Sequence, residues 1–309
     1  MSLELSYVLP LRWDENGDSD ELTAYLRWLS GVVELIVVDG SPPEIFNAHA
    51  SSWAGLGMHV KPDPDVAFLN GKVDGVFTGV RRARFEAVVI ADDDVRYDEE
   101  ALERLACLLH DNDLVRPQNY FDPMPWHALW DSSRSLLNRA FAADFPGTLG
   151  IRRSFFMAMG GYDGDVMFEN LELIRTIEAA GGRGVAPLDL FVARIPPSSR
   201  AFWSQRIRQA YDDLASPWRL TMFLSLGPLT GAAVATGRKR PVAAAAATAI
   251  ALAEIGRRRA GGRSAFPPAA SAFAPLWISE RALCSWLAVG FRVGRGGVRY
   301  RRGIIPKAA

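Results

Sequence analysis

Residues 87–94 read Ala87-Val-Val-Ile-Ala91-Asp92-Asp93-Asp94. A short run of small and branched apolar residues that turns at once into carboxylates predicts a strand buried on both faces and ending at a polar edge. Upstream, Leu35-Ile-Val-Val-Asp39 repeats the pattern and is stopped by Gly40-Ser-Pro-Pro43. Leu5–Leu9 predicts a first strand ending at Pro10, and Met58–Lys61 a further one. Between these runs, Glu21–Leu29, Lys72–Arg84 and Glu99–Leu109 carry apolar residues at helical spacing, as does Glu169–Ala180 before Gly181-Gly182. Strands alternating with helices predict βαβ units and a mostly parallel sheet, an α/β fold. From Pro117 to Pro146 the periodicity weakens amid aromatics, which predicts an irregular wall.

In a parallel α/β sheet, ligands bind beyond the carboxyl ends of the strands. Two runs here end in acids, Asp39 and Asp92–Asp94. Clustered carboxylates repel one another unless a cation lies among them, and a hard divalent ion with oxygen ligands fills that role while bridging a diphosphate. The plainer alternative is that Asp92–Asp94 is a solvated cap for the next helix. There is no G-x-x-x-x-G-K-[ST] and no G-x-G-x-x-G after a strand, which disfavours an ATPase or a dehydrogenase. The four histidines lack zinc-ligand spacing, and Cys107 and Cys284 lie too far apart in sequence to suggest a disulfide framework. The first residues show no basic segment followed by an apolar one, so no signal peptide is expected.

The net charge of zero conceals an asymmetry. Residues 1–199 hold 17 Lys and Arg against 31 Asp and Glu, whereas residues 200–309 hold 18 against 4. A basic tail suggests an anionic partner, and its wealth of Ala, Leu, Trp and Phe favours a membrane surface over nucleic acid. Its apolar stretches are Leu220–Thr236, Val242–Ile255 and Phe273–Phe291. The first two fall short of the ~20 residues needed to span a bilayer, and the third contains Glu280 and Arg281. Arg238-Lys239-Arg240 and Arg257-Arg258-Arg259 bracket the second, so a spanning pair would leave one basic cluster on the wrong side. Helices lying in or dipping into the interface are therefore expected, with re-entrant or spanning helices as alternatives.

Several segments, in order, resemble the family 2 glycosyltransferases of GT-A fold. Tyr7-Val-Leu-Pro10 is similar to that family's first strand, and Val38-Asp39-Gly40-Ser41 to its V-D-D-G-S turn with one Asp missing. Gly71-Lys72-Val-Asp-Gly75 resembles its G-K segment, and Ala91-Asp92-Asp93-Asp94 its D-x-D. Gly147–Arg153 and Gly160-Gly161-Tyr162-Asp163 resemble its acceptor side, Glu169-Asn170-Leu171-Glu172-Leu173 its E-D-x-D-L, and Gln205-Arg206-Ile207-Arg208 its Q-x-x-R, with Gln209 replacing the usual Trp. More loosely, Gly297–Gly303 is similar to the tail of membrane-associated members.

The resemblance implies a nucleotide-sugar glycosyltransferase domain over 1–215, followed by a basic, hydrophobic, membrane-associated helical tail over 216–309. It implies transfer from a nucleotide-diphosphate sugar with inversion. Asp39, Ser41, Lys72, Asp92, Asp93 and Arg208 would bind the donor, and Asp92 and Asp94 would hold Mg²⁺ or Mn²⁺. The family's base is the Asp of E-D. Asn170 stands there and has no useful basicity, so Glu169 is the nearest replacement, although it leaves a helix in another direction. The expected partners are the donor, a lipid or glycan acceptor and a membrane surface, not nucleic acid. The expected location is the cytoplasmic face of the cell membrane. Two alternatives stand: a non-catalytic sugar-nucleotide-binding scaffold in envelope synthesis, favoured by Asn170, and a sugar nucleotidyltransferase, whose Gly-rich loop Leu11–Asp14 matches poorly. Arg152 and Arg153 are read as surface or anion contacts, Trp126, His127 and Trp130 as wall packing or a stacking platform, and His127 as a candidate metal ligand.

Overall fold

The computed structural model describes residues 3–15, 17, 19–295, 298–300, 303–305 and 307–308. In chain order the first elements are β1 (Leu5–Leu11), α1 (Asp20–Ser30), β2 (Glu34–Asp39), α2 (Pro43–Ser52), β3 (Met58–Val60), α3 (Gly71–Arg82), β4 (Ala87–Ala91), β5 (Val95–Arg96) and α4 (Glu99–Leu109). Then come β6 (Leu114–Val115), β7 (Gln118–Phe121), α5 (Trp126–Phe141), β8 (Thr148–Arg152), α6 (Arg153–Ala158), α7 (Glu169–Ala179), β9 (Gly184–Val185), β10 (Phe191–Arg194) and α8 (Ser199–Ala210). The remainder is helical: α9 (Pro217–Ala235), α10 (Lys239–Arg258), α11 (Pro268–Ala272) and α12 (Ala274–Arg295), before a two-stranded antiparallel ribbon, Val298–Tyr300 with Gly303–Ile305.

The chain divides into two compact units. One comprises 1–117, 146–165 and 169–192, and the other 118–145, 166–168 and 193–309. This division follows packing. The boundary at 215 follows the family resemblance, and the change in charge falls at 199–200.

In the first unit, seven of the described strands form one sheet in the order β3-β2-β1-β4-β8-β6-β9. β1 pairs in parallel with β2 and β4, and β2 with β3, while β8 runs antiparallel to β4 and β6. The apolar runs are buried on both sides, as a parallel strand requires. Tyr7, Leu9, Leu35, Val37, Val89 and Ala91 meet α1 and α4 through Leu22, Leu26, Leu102 and Leu105. Val8, Ile36, Val38, Val88 and Ile90 meet α3 and α7 through Val73, Val76, Val80, Leu173 and Ile177. A Cβ on Gly75 would stand 2.7 Å from Pro10 Cβ, and one on Gly79 would overlap Val8 Cγ1. These two glycines, one turn apart, let α3 lie directly on β1. That contact sets where Lys72, in the first turn of α3, is carried.

The second unit corrects the expected irregular wall: 126–141 is a 16-residue helix. Its buried face is His127, Ala128, Ser132, Ser133, Ser135, Leu136 and Arg139. A face built from small and polar residues carries no apolar periodicity, so the helix was illegible as one. Arg139 is fully buried and donates to Gln118 Oε1 (3.1 Å) and to the Arg259 carbonyl (2.8 Å). The spanning alternative is also corrected: among the described residues, no helix is long and apolar enough to cross a membrane. In α9, Pro228 has no N–H to give the Leu224 carbonyl, and the Trp286 indole of α12 donates to that carbonyl instead (3.1 Å). The Gly297–Gly303 resemblance rests partly on residues outside those described.

Candidate functional site

β2 and β4 flank β1, and their carboxyl ends bring both acidic turns to one edge of the first unit. The chain passes from β1 to β2 on one side and from β3 to β4 on the other. The strand order therefore reverses here, the position where open α/β sheets place ligands.

At the end of β4, Asp92 receives the Lys72 ammonium in an ion pair. The same ammonium lies 2.5 Å from Glu169 Oε1, at the first residue of α7. One cation thus holds together two acids separated by 77 positions, residues 92 and 169. Burial disfavours the charged Lys72, but the charges of Asp92 and Glu169 outweigh it and raise its pKa. Asn70 caps α3, accepting from the Lys72 backbone N–H at 3.2 Å, and its amide reaches Glu169 Oε2 at 3.5 Å. Glu169 is buried with these partners and sits at a helix N-terminus, where the macrodipole favours negative charge.

Asp39 faces protein groups. It is fully buried, and its Oδ2 accepts from His49 Nδ1 at 2.7 Å and His59 Nε2 at 3.1 Å, while Oδ1 accepts from the Ser41 N–H at 2.9 Å. Burial pushes its carboxyl pKa up, but hydrogen bonds from His59, Ser41 and His49 prevail and hold it at about 2. His49 stacks on Trp53 and His59 on Phe46. Ser41 Oγ accepts from the Trp13 N–H at 2.9 Å, and the Trp13 indole donates to Asp93 Oδ2 at 2.8 Å. Trp13 therefore joins the turn after β2 to the acids after β4. Sequence reasoning missed Trp13 and both histidines. The available signal for Trp13 was an aromatic directly after the first strand, on the ligand-bearing edge.

Asp94 is half-buried beside Asp92 and Asp93. Among the described residues, no three His, Cys, Asp or Glu side chains converge as a metal cage. Asp92 and Asp94 nevertheless supply the donor set suited to Mg²⁺ or Mn²⁺, which commonly binds through one or two carboxylates plus substrate phosphates. Asn170 does not act as a base: its amide donates to the Pro146 carbonyl at 3.1 Å. Arg208 lies half-buried on α8, in the other unit.

Arg152 and Arg153 are committed to groups within the protein, chiefly backbone carbonyls, with Arg152 Nε also 3.5 Å from Asp113 Oδ1. Arg152 donates to the carbonyls of Leu109, His110 and Asn112, and Arg153 to those of Val80 and Arg81. They satisfy helix C-terminal carbonyls, as basic residues at helix ends commonly do. In the second unit, His127 Nε2 donates to the Pro197 carbonyl at 2.8 Å, an anchoring role. Trp126 remains 44% exposed beside Trp203.

No protein-family model matches this sequence, and no curated protein matches it. Among solved structures, the chain is similar to a mannosyltransferase from Pyrobaculum calidifontis in complex with GDP-Man and Mn²⁺, at 16% identity over 93% of this chain and 88% of that one, with a TM-score of 0.55. Weaker likenesses are to glucosyl-3-phosphoglycerate synthase from Mycobacterium tuberculosis (18% identity, 64% and 74% covered, TM-score 0.41) and mannosyl-3-phosphoglycerate synthase from Rubrobacter xylanophilus (16%, 65% and 69%, 0.42). The first likeness shows the fold: a mixed α/β architecture of GT-A type, with a mainly parallel seven-stranded sheet.

Proposed function

We propose that this chain is a glycosyltransferase that moves a sugar from a nucleotide-diphosphate donor to an acceptor hydroxyl, with inversion. The observation that carries this reading is the Lys72 ammonium shared by Asp92 and Glu169 at the carboxyl edge of the parallel strands. It unites a strand-end carboxylate, a cation suited to phosphate and a carboxylate able to take a proton.

In this reading Asp39 fixes the wall of the nucleotide site through His49, His59 and Ser41. Asp92 and Asp94 would hold Mg²⁺ or Mn²⁺, which when bound neutralises the leaving diphosphate. Lys72 is drawn to the donor's diphosphate, which carries more charge than a carboxylate, and so releases both Asp92 and Glu169. Glu169 then accepts the proton of the acceptor hydroxyl as its oxygen bonds to the anomeric carbon. The carbon–oxygen bond to the diphosphate breaks, with its electron pair leaving on phosphate.

The acceptor proposed is lipid or lipid-linked, met at the cytoplasmic face of a membrane. In support, Trp218, Leu229 and Val234 of α9 are 69, 65 and 60% exposed, and Leu283 and Trp286 of α12 are 64 and 49% exposed. Exposed apolar side chains on two helices of a basic tail are what contact with an anionic membrane surface would use.

The test is a screen of UDP-, GDP- and TDP-sugars with Mn²⁺ or Mg²⁺. Metal-dependent binding with slow nucleoside diphosphate release is expected for wild type, with at least a tenfold loss of affinity in Asp94→Ala. Glu169→Gln keeps binding and loses about 10²–10⁴-fold in transfer. Binding without release, in the presence of membrane extract as acceptor, would instead support the non-catalytic scaffold that Asn170 favours. No binding of any donor would sink both.

A further inference from the structure

The second unit contains an apolar groove of about 300 Å³ between α9, α10 and α12, lined among others by Gly227, Gly231, Val242, Ala246, Ile278 and Ala282. The geometry points to this groove as the binding site for a single hydrocarbon chain of an anionic membrane lipid, the headgroup held by Arg238, Lys239 and Arg240. This deepens the membrane part of the proposed function and does not depend on glycosyl transfer.

The size suits a chain. Counting a methylene at the ~30 Å³ of a liquid water, the groove takes on the order of ten carbons. It lies at the small end of ligand pockets, where one aliphatic chain fits and a folded partner segment does not. The opening is real at Gly231, where a Cβ would meet nothing within 4 Å.

Charge selects the headgroup. Residues 200–309 contain four acids: Asp212, Asp213, Glu254 and Glu280. Arg219 and Arg281 pair with Asp212 and Asp213, Arg257 and Arg258 with Glu254, and Arg206 with Glu280. None of these carboxylates pairs with Arg238, Lys239 or Arg240, and all three are exposed. They occupy the connection from α9 to α10 and the first turn of α10. Gly231 and Val242 lie within about one helical turn, ~5 Å, of that end along their helices. An apolar groove with exposed cations about one helical turn beyond one end of its lining fits an amphiphile with an anionic head. A second copy of this chain would bring the same positive charge to the same place and be repelled.

The experiment is calorimetric titration of the full chain with alkyl phosphates of about six to twelve carbons, below their micelle concentrations, with alkyl maltosides as neutral controls. Affinity is expected to rise about fourfold per methylene and to level off near ten carbons. Gly231→Leu should fold with an unchanged or higher Tm and bind dodecyl phosphate at least 30-fold more weakly. Arg238→Glu with Arg240→Glu should weaken alkyl phosphates at least tenfold and leave alkyl maltosides unchanged. Affinity independent of chain length, or equal in wild type and Gly231→Leu, overturns the groove. Phosphatidylglycerol vesicles separate the two readings. If they bind wild type and Gly231→Leu alike while neither takes alkyl phosphate, the groove fails and the membrane surface stands. If alkyl phosphate enters the wild-type groove and vesicles do not bind, the groove stands and the membrane reading fails.

Discussion

Helices α3 and α9 both carry glycines four residues apart, and the two pairs meet opposite surroundings. On α3, Gly75 and Gly79 face Pro10 and Val8 so closely that any Cβ would collide. On α9, Gly231 faces open space, and Gly227 would meet only the Trp286 indole nitrogen at 3.9 Å. A glycine pair in a helix makes close approach possible but does not say what approaches. In the first unit a strand fills the approach, and in the second a groove is left. The same contrast holds for polarity. In the first unit Asp39 is enclosed by donors, while α9 exposes Trp218, Leu229 and Val234.

One substitution made in both helices tests this most sharply. Gly79→Leu should destabilise by about 3 kcal/mol, because overpacking against Val8 outweighs the gain in helix propensity of about 0.8–1 kcal/mol. Gly231→Leu should leave stability unchanged or raise it by up to about 1 kcal/mol. Urea unfolding of the two variants beside wild type decides it, and equal losses would break the comparison.

Next in size is acid sensitivity. Asp39 has a folded pKa of about 2, against an unfolded value of about 3.9. Its carboxylate therefore contributes stability that is full above pH ~4 and is lost as pH falls from there toward 2, on the order of 2 kcal/mol. Unfolding midpoints measured at pH 6 and pH 2.5 should converge for wild type and Asp39→Asn at the lower pH. A difference that stays constant would show that the histidine bonds do not stabilise the ionised form.

The smallest effect concerns the tail. Trp286→Phe keeps the aromatic bulk and removes the N–H given to the Leu224 carbonyl, costing about 1 kcal/mol. In a Pro228→Ala background the backbone N–H returns, and the same change should cost less. A double-mutant cycle by thermal unfolding measures the difference.

Much of the first unit was legible because its signals are local. The run Ala87–Ala91 is a strand with those bounds, and Glu99–Leu109 is a helix with those bounds, since burial on both faces and helical spacing each leave a plain pattern. Helix 126–141 left none, because Arg139 and four serines or histidines occupy its inner face, and Arg139, His127 and Ser133 find their partners at residues distant in sequence. The candidate site divides the same way. Asp92 and Glu169 were picked out from motifs, but their joining through Lys72, and the enclosure of Asp39 by His49 and His59, were not.

By itself the sequence determined the alternation of strands and helices, the acidic strand ends and the separation of charge between front and tail. Those features depend on residue type and short-range spacing. Tertiary structure alone decided that Lys72 stands between two distant carboxylates, that Asn170 is spent on a backbone carbonyl, and that α9, α10 and α12 leave a groove open. Each of these depends on which surfaces meet, and chain-distant packing writes no period into the sequence.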